Sequence, residues 1–375
     1  MKKLSLISTA VLTLASASAM AQSSVTLYGI VDAAFTYSTK QVGGSRTGID
    51  AGQLATSRWG MRGSEDLGGG LKANFNLEGT LINDTGATGL GFGGNTVVAG
   101  NTVGNAAGST NSMFDRQATV GLSGGFGSVN FGRQNILGVD SVGQADPISF
   151  AQPAINPNVA FSALNAGAFY STFGTNDGGA ALRQNNSIRY VSPNFSGFGG
   201  ALMYGFGEQP GNSSANTYAG ASGFFSNGQF GAALAYAQLN NKTDNQTLTL
   251  WGGGVKYAIT PTITLRGTYA QNEVDTTKRK IAVFGLGADF VVAPALTLTG
   301  AYYNTKRDGD IPVSGKAQQF VGLAKYALSK RTQLYTILTH VKAGSSAAKD
   351  TQLGLLTTAG NSTANRLAVG VLHAF

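Results

Sequence analysis

Alternation between polar and apolar residues recurs along almost the whole chain and constrains its fold more than any other feature. The clearest stretch covers residues 71–79, where odd positions are apolar and even positions are polar. Because successive side chains of a strand point to opposite faces, this period of two predicts strands with one face of each kind. A soluble sandwich has the same period, but it needs a second core layer, of which the sequence has little sign. We therefore predict an all-β transmembrane antiparallel β-barrel with a lipid-facing exterior and a wet lumen.

Turn residues divide this alternation into roughly sixteen candidate strands, an even number that closes an antiparallel barrel. Short turns such as Gly68-Gly69-Gly70 and Ala293-Pro294 alternate with long polar stretches. Short turns at one rim and long loops at the other are typical of outer-membrane barrels. The long stretches are 83–112, 136–182, 208–216, 240–246, 306–316 and 344–363. The strands are predicted to start near residues 24, 54, 70, 113, 127, 184, 196, 217, 228, 247, 262, 279, 294, 317, 330 and 364.

Two of the long stretches differ in composition. Residues 83–112 are rich in Gly, Asn, Thr and Ala, which indicates an external loop. Residues 136–182 contain several aromatic and aliphatic side chains, more than a disordered loop needs. This stretch follows the fifth predicted strand and is the third loop of its rim. We expect it to fold into the lumen and narrow it, and an external lid over the barrel mouth remains the alternative.

The two ends of the chain predict export and closure. Residues 1–21 combine Lys2 and Lys3, an apolar run and a final Ala-Met-Ala, the pattern of a secretory signal peptide. Residues 22–375 are then one barrel domain, and they contain no run of roughly eighteen apolar residues that would form a membrane helix. The last strand keeps its apolar face up to Phe375, so we expect it to pair with the strand near residue 24 and close the sheet.

Charge and composition exclude several functional classes. The chain has 26 Lys and Arg against 18 Asp and Glu, a net charge of +8, and +6 without Lys2 and Lys3. This excess favours anionic partners without indicating nucleic acid. The absence of cysteine excludes thiol catalysis and Cys-ligated metals. His340 and His373 lack zinc-type spacing, and no nucleotide-binding motif is complete, so we predict no catalytic, cofactor-binding or metal-binding residue.

Charged residues on the polar faces of the strands are the candidates for the lumen. An Arg or Lys facing lipid at mid-bilayer costs roughly 2–4 kcal/mol, so a charge in a strand is expected to face water. Arg58 and Arg62 share a face opposite Trp59 and Met61. Arg116 has the parity of apolar neighbours, and only its charge predicts that it points inward. The predicted lumen-facing charges outside the constriction are Asp32, Arg62, Lys72, Glu78, Lys256, Arg266, Asp289 and Arg366.

Several segments, in order along the chain, resemble the sixteen-stranded general porins of Gram-negative outer membranes, in the branch common among beta-proteobacteria. Each segment is weakly specific alone, and the ordered set is specific. The segments are VTLYGIVD at 25–32, the hairpin at 57–79, GSVNFGRQ at 127–134, NSIRYVSPNFSGF at 186–198, YALSKRT at 326–332 and the terminal Phe375.

The resemblance implies a homotrimer of water-filled barrels, each narrowed by its third loop, with a row of arginines facing that loop. In such porins the arginines belong to the second, fourth and sixth strands, which correspond here to Arg58, Arg116 and Arg183. The narrowing loop of the family commonly has a Pro-Glu-Phe-like motif whose acid faces the arginines. This chain has no glutamate after Pro147, so Asp146 is the nearest acid and completes the implied constriction. We therefore expect an opening that favours anions.

The implied function is passive diffusion of small hydrophilic solutes and ions across the outer membrane, without a cofactor and without enzymatic activity. A substrate-specific anion channel and a non-conducting adhesive or structural barrel remain as alternatives. The implied partners are two further copies of the chain, outer-membrane lipid and lipopolysaccharide. A terminal aromatic residue such as Phe375 also resembles the signal that the outer-membrane assembly machinery recognises.

Overall fold

A computed structural model gives the structure of most of the chain. It describes residues 24–41, 43–88, 96–98, 101–103, 113–153, 155–159, 182–309, 314–344 and 360–375. The signal peptide predicted at 1–21 lies outside the described residues, as do much of the loop predicted at 83–112 and all of residues 160–181. Among the described residues, no helix is both long enough and apolar enough to cross a membrane.

Sixteen antiparallel strands form a closed barrel in the described part of the chain, as the alternation predicts. Each strand pairs with its neighbours in sequence, and the first pairs with the last. A helix, α1 (Leu137–Gly143), follows β5. The strands are β1 (Ser24–Gln41), β2 in two segments (Gly44–Ala51 and Arg58–Gly68), β3 (Leu71–Ile82), β4 (Gln117–Gly124), β5 (Gly127–Asn135), β6 (Arg183–Val191), β7 (Phe198–Gly205), β8 (Tyr218–Ser226), β9 (Phe230–Asn240), β10 (Thr247–Thr260), β11 (Ile263–Val274), β12 (Lys280–Ala293), β13 (Leu296–Asp308), β14 (Gly315–Ala327), β15 (Thr332–Ala343) and β16 (Thr363–Ala374).

The second strand differs from its predicted position. A strand was expected to start near residue 54, whereas β2 starts at Gly44 and is interrupted at residues 52–57. The interruption arises because the Asp32 carboxylate accepts hydrogen bonds from the backbone N–H groups of Leu54 (2.6 Å) and Ala55 (2.7 Å). These bonds draw the backbone away from the sheet, and Leu54 packs into an apolar cluster inside the barrel.

The closure of the barrel agrees with its prediction. Residues 30–38 of β1 pair with residues 366–374 of β16, while residues 24–30 pair with the second segment of β2. The Phe375 N–H donates to the Gly29 carbonyl at 3.0 Å, and the Gly29 N–H donates to the Phe375 carbonyl at 3.2 Å. A Cβ atom at position 29 would lie 2.3 Å from the Phe375 ring, so only glycine fits under it.

The two rims differ in the length of their connections. At the rim that holds Ser24 and Phe375, the first and last described residues, the seven connections have between two and six residues. The opposite rim has the long connections, including 83–116, 136–182 and 344–362. Four connections there have at most six residues, so the lengths alternate less strictly than predicted: 42–43, 241–246, 275–279 and 309–314.

The described part of the third loop folds into the barrel, as predicted, and we name its residues 136–153 and 155–159 the inward segment. Its helix α1 packs against β8–β11, where Leu137 joins a buried cluster with Tyr218 and Leu248. Further along, Ile148 packs in a second cluster with Tyr303 and other residues of the strands up to β16. The inner faces of β7–β16 are therefore largely apolar where this segment covers them, although they face the lumen side of the sheet.

Candidate functional site

Four arginines converge on the inner wall of β2–β6: Arg58, Arg116, Arg133 and Arg183. Glu78 of β3 lies between two of them, with its carboxylate 2.6 Å from Arg116 Nε and 3.6 Å from Arg58 Nε. Arg183 Nε donates to the backbone carbonyl of Arg116 at 3.0 Å. The four arginines are linked through such contacts, and we name them the arginine cluster.

Different local features turn these side chains inward. Arg58 follows the alternation of β2 and pairs in register with Thr80. Arg116 precedes the first residue of β4, and its backbone N–H donates to the Glu78 carbonyl at 3.1 Å. Because Arg116 lies outside the regular strand, the parity of β4 does not determine its orientation. The structure thus brings together Arg58, Arg116 and Arg183, the three arginines predicted for the constriction.

Arg133 is a member of the cluster that sequence reasoning missed, because it has the parity of outward-facing apolar residues. It reaches the cluster through a local irregularity: Gly132 has a φ of +119°, and the pairing of β5 with β6 shifts register between Gln184 and Ser187. The Arg133 Nε then donates to the Asp115 carbonyl at 2.5 Å. A glycine within a strand often marks a bulge, and Gly132 was therefore the available signal.

The charge of this wall is strongly positive. Among the described residues, Glu78 and Asp115 are the carboxylates close to the four arginines, which leaves an excess of two positive charges in this part of the wall. Thr80 holds the Asp115 carboxylate with its backbone N–H at 2.7 Å and its hydroxyl at 2.8 Å. Arg58 exposes 28% of its side chain, compared with 10% for Arg116, so Arg58 is the more accessible of the two to solutes in the lumen.

Asp146 does not lie where the sequence predicts, at the opening opposite the arginines. It is fully buried, and its carboxylate accepts hydrogen bonds from the backbone N–H of Phe150 (2.8 Å), from Asn158 Nδ2 (2.9 Å) and from the Tyr303 hydroxyl (3.2 Å). Burial raises the pKa of the Asp146 carboxyl, whereas the bonds from Phe150 and Asn158 lower it. The carboxylate therefore closes its own turn and anchors the inward segment to β13, and it does not line the channel.

Other charges predicted for the lumen lie on inner faces but are bound to protein partners. Arg266 Nε lies 2.8 Å from the Asp289 carboxylate, and Arg366 lies 2.7 Å from Asp50. Asp32 is buried and holds the break in β2. The charged groups of these residues are therefore held by contacts within the barrel.

Three further predicted charges lie nearer the short-turn rim. Arg62 stacks over the Tyr28 ring at 5.2 Å and lines a polar recess of about 360 Å³ with Asn74 and other side chains. Lys72 is exposed near the start of β3, and Lys256 lies opposite Arg266 in register. Within the described residues, no group of three or more His, Asp or Glu side chains could hold a metal ion.

Comparisons with known proteins agree with this architecture. A family profile described as Gram-negative porin matches residues 8–346. "Outer membrane porin protein 32" of Delftia acidovorans is 39% identical over 259 residues, which cover 67% of this chain and 65% of that protein. An outer membrane porin protein of Bordetella pertussis is 32% identical over 266 residues, 64% of this chain and 60% of that protein. The chain thus spans slightly less than two thirds of the length of these curated relatives.

Solved structures show the same fold over nearly all of the chain. An "anion-selective porin from Comamonas acidovorans" aligns with a TM-score of 0.74 and 29% identity, covering 94% of this chain and all of the other. The trimer form of OmpT, an outer membrane protein of Vibrio cholerae, aligns with a TM-score of 0.62 and covers 94% of this chain and 99% of the other. Its identity of 13% supports a shared fold only.

Proposed function

Because the chain belongs to the Gram-negative porin family, we propose that it forms a water-filled channel for passive diffusion of small hydrophilic solutes and ions, with a preference for anions. The family and its matched relatives place the protein in the outer membrane. Family membership also agrees with the prediction that the chain is not an enzyme. We further propose that residues 1–21 are the signal peptide and that 22–375 form the barrel domain.

The observation that carries this proposal is the position of the arginine cluster. It occupies the inner wall of β2–β6, whereas the inward segment packs its apolar side chains mainly against the wall of β7–β16. Solutes that pass between the two meet a wall with an excess of positive charge. Such charged rings set the sign of the ions that pass without requiring a tight binding step.

The arginine charges act over a distance that is comparable with the width of a narrow channel. Charges are screened over about 8 Å at physiological ionic strength, a distance comparable with a constricted channel. Arg58, Arg116, Arg133 and Arg183 are therefore proposed as the selectivity wall, with Glu78 moderating its charge. Asp146 acts in this scheme as an anchor of the inward segment.

The partners are part of the proposal. A homotrimer is supported by the trimer form described for a structural neighbour with the same fold. Outer-membrane lipid and lipopolysaccharide would surround the apolar exterior, and the assembly machinery would recognise Phe375. Small anions are the proposed solutes.

Conductance in planar bilayers tests this function. The purified protein should give open channels, a zero-current potential of the sign expected for anions across a salt gradient, and flux that rises linearly with solute concentration. Saturation by one solute would instead support a substrate-specific anion channel. Negligible conductance of a folded barrel would contradict the channel function and favour an adhesive or structural role.

A further inference from the structure

The interruption of β2 brings extra residues into the interior of the barrel. Residues 52–57 of β2 face only residues 31 and 32 of β1, and regular pairing of the two strands resumes on either side. We name residues 52–57 the β2 break. Four of its six residues are buried. The β2 break is therefore packed against other parts of the protein and does not form an exposed loop.

One residue of β1, Asp32, holds the β2 break at its middle and at both of its ends. Its carboxylate accepts hydrogen bonds from the backbone N–H groups of residues 54 and 55 and from the Tyr335 hydroxyl. Its backbone carbonyl accepts from the Gly52 N–H at 2.8 Å, and its backbone N–H donates to Ser57 Oγ at 2.9 Å. These bonds replace the strand pairing that the β2 break lacks.

The end of the β2 break leads directly into Arg58, the more accessible arginine of the cluster. Ser57, the residue before it, donates its hydroxyl to the Asp32 carbonyl at 3.1 Å. The backbone carbonyl of Ser57 accepts from the Leu81 N–H at 2.9 Å. These two bonds attach the last residue of the break to β1 on one side and to β3 on the other. The position of Arg58 in the wall therefore depends on how the break is held.

The middle of the β2 break is bound to the inward segment. The backbone N–H of Gln152 donates to the Gln53 carbonyl at 2.6 Å, and the Thr339 hydroxyl donates to the Gln152 side-chain oxygen at 2.5 Å. Leu54 packs in the same buried cluster as Ile148 of the inward segment. The break therefore connects the wall that carries the arginines to the segment that narrows the lumen.

We propose that Asp32 is a positioning residue of the channel, which acts through the β2 break on both sides of the opening. It holds Arg58 in the wall and the edge of the inward segment next to it, and so keeps the opening narrow. Asp32 is fully buried and acts only through these groups. Ions pass close to the arginines while the opening stays narrow, since charges are screened over about 8 Å at physiological ionic strength. The inference rests on the proposed channel function.

The zero-current potential of Asp32→Ala tests this role by the direction in which it moves. Alanine leaves the N–H groups of residues 54 and 55 without their acceptor, so the β2 break loosens and the opening widens. The potential should move towards zero, at least half as far as in Arg58→Gln, and the single-channel conductance should rise. Loss of a negative charge alone would move the potential further in the anion direction. A shift in the anion direction, or no shift, would overturn the proposal.

Asp32→Asn is the matched control for the charge. It removes the same charge as Asp32→Ala, but its amide oxygen still accepts from the N–H groups of residues 54 and 55, while its amide nitrogen donates to the Tyr335 oxygen. The potential of Asp32→Asn should therefore not move towards zero. Equal movement of both variants towards zero would contradict positioning by these hydrogen bonds.

Ser57→Ala tests the same role without a change of charge, and it decides the question if Asp32→Ala does not fold, as judged by heat-modifiable migration on gels. It removes the hydroxyl that binds Asp32 next to Arg58, so the potential should make a smaller shift towards zero. The control is Ser123→Ala, which removes a hydroxyl of the inner wall that binds Asn74 at 2.8 Å. Equal potentials of the two serine variants would overturn the proposal.

Combination with Arg58→Gln separates positioning from a general loosening of the barrel. Residues that act through one another have non-additive effects, whereas independent residues have additive ones. Asp32→Ala should therefore shift the potential clearly less in an Arg58→Gln background than in the wild-type background. Full additivity would mean that Asp32 does not act through Arg58, and would contradict its positioning role.

Hydrogen exchange of the same full-length barrels in detergent, followed by mass spectrometry, separates this inference from the proposed function. In Asp32→Ala the backbone N–H groups of residues 52–58 and of residues 148–153 should exchange at least about tenfold faster than in Asp32→Asn, because the hydrogen bonds that protect them are lost. Faster exchange in the β2 break alone would overturn the link to the inward segment.

The two measurements fail separately. If exchange responds in both segments but the wild-type protein conducts nothing, only the channel function fails. If the wild-type protein conducts with a preference for anions, while Asp32→Ala changes neither the potential nor the exchange of the inward segment, only the positioning role fails.

Discussion

The two halves of the inner wall are built from the same kind of strand but present opposite chemistry. On β2–β6 the inward positions include a network of arginines around Glu78. On β7–β16 many inward positions are apolar, for example Leu248 and Ile337, because the inward segment covers them. The comparison shows that alternation determines the side of the sheet, whereas the covering segment determines whether that side is wet. The channel therefore lies beside the part of the inner wall that the inward segment leaves uncovered.

Detachment of the inward segment from the barrel wall should change the conductance more than any other variant considered. Asp146→Ala leaves buried donors of Asn158 and Tyr303 without their acceptor, at a cost of about 1–3 kcal/mol for each donor. We expect the inward segment to detach, and single-channel conductance to rise clearly and become noisier. Asp140→Ala is the control, since it changes a partly exposed ion pair with Arg189 in the same segment. Equal conductance of the wild-type and Asp146→Ala proteins would disprove the anchoring role.

A neutral Glu78 should sharpen the contrast between the walls. Glu78→Gln removes the acid that lies 2.6 Å from Arg116, so the local excess of positive charge grows. We expect the zero-current potential across a salt gradient to move further in the anion direction, while single-channel conductance at high salt changes little. A move in the cation direction would mean that Glu78 does not moderate the arginines.

The exposed fraction of each arginine side chain should determine how strongly its removal changes the anion preference. Arg58→Gln should reduce the anion preference more than Arg116→Gln, because Arg58 exposes a larger fraction of its side chain, 28% against 10%. The difference should shrink as salt is raised from 0.1 to 1 M, when the screening length falls from about 10 to about 3 Å. Zero-current potentials at several salt concentrations measure both effects, and the reverse ranking would contradict the described exposure.

Neutralising both members of the Arg266–Asp289 pair should have the smallest effect. Arg266 and Asp289 lie 2.8 Å apart, and Arg266→Gln combined with Asp289→Asn leaves the net charge of the inner wall unchanged. We expect the zero-current potential of this double variant to stay close to that of the wild type. A shift as large as that of Arg58→Gln would mean that the pair contributes to selectivity.

Much of the fold could be predicted because its signals are local. Turn residues bracket each strand, so fifteen of the sixteen predicted starts lie within four residues of the observed ones. The exception is β2, whose break depends on the Asp32 carboxylate, 22 residues before Leu54. Contacts of that kind leave no periodic signal.

The candidate site was only partly predictable for the same reason. Arg58 follows the alternation, and the family resemblance pointed to Arg183, but Arg133 depends on a bulge around Gly132. The burial of Asp146 depends on Tyr303, 157 residues further along the chain. A carboxylate next to a proline is equally compatible with a channel surface and with a buried turn until the packing of the inward segment is known.

The most direct test of the selectivity wall is the zero-current potential across a salt gradient. It is measured for the double variant Arg58→Glu with Arg183→Glu. The control is Lys330→Glu with Arg331→Glu, which makes the same change of charge at the short-turn rim. Because Arg183 is buried, Arg58→Glu alone serves as a second variant with a smaller shift in the same direction. We expect the arginine variants to move the potential towards cation selectivity and the control to move it little. A potential that is unchanged, or that moves equally in the control, would contradict the assignment of selectivity to this wall.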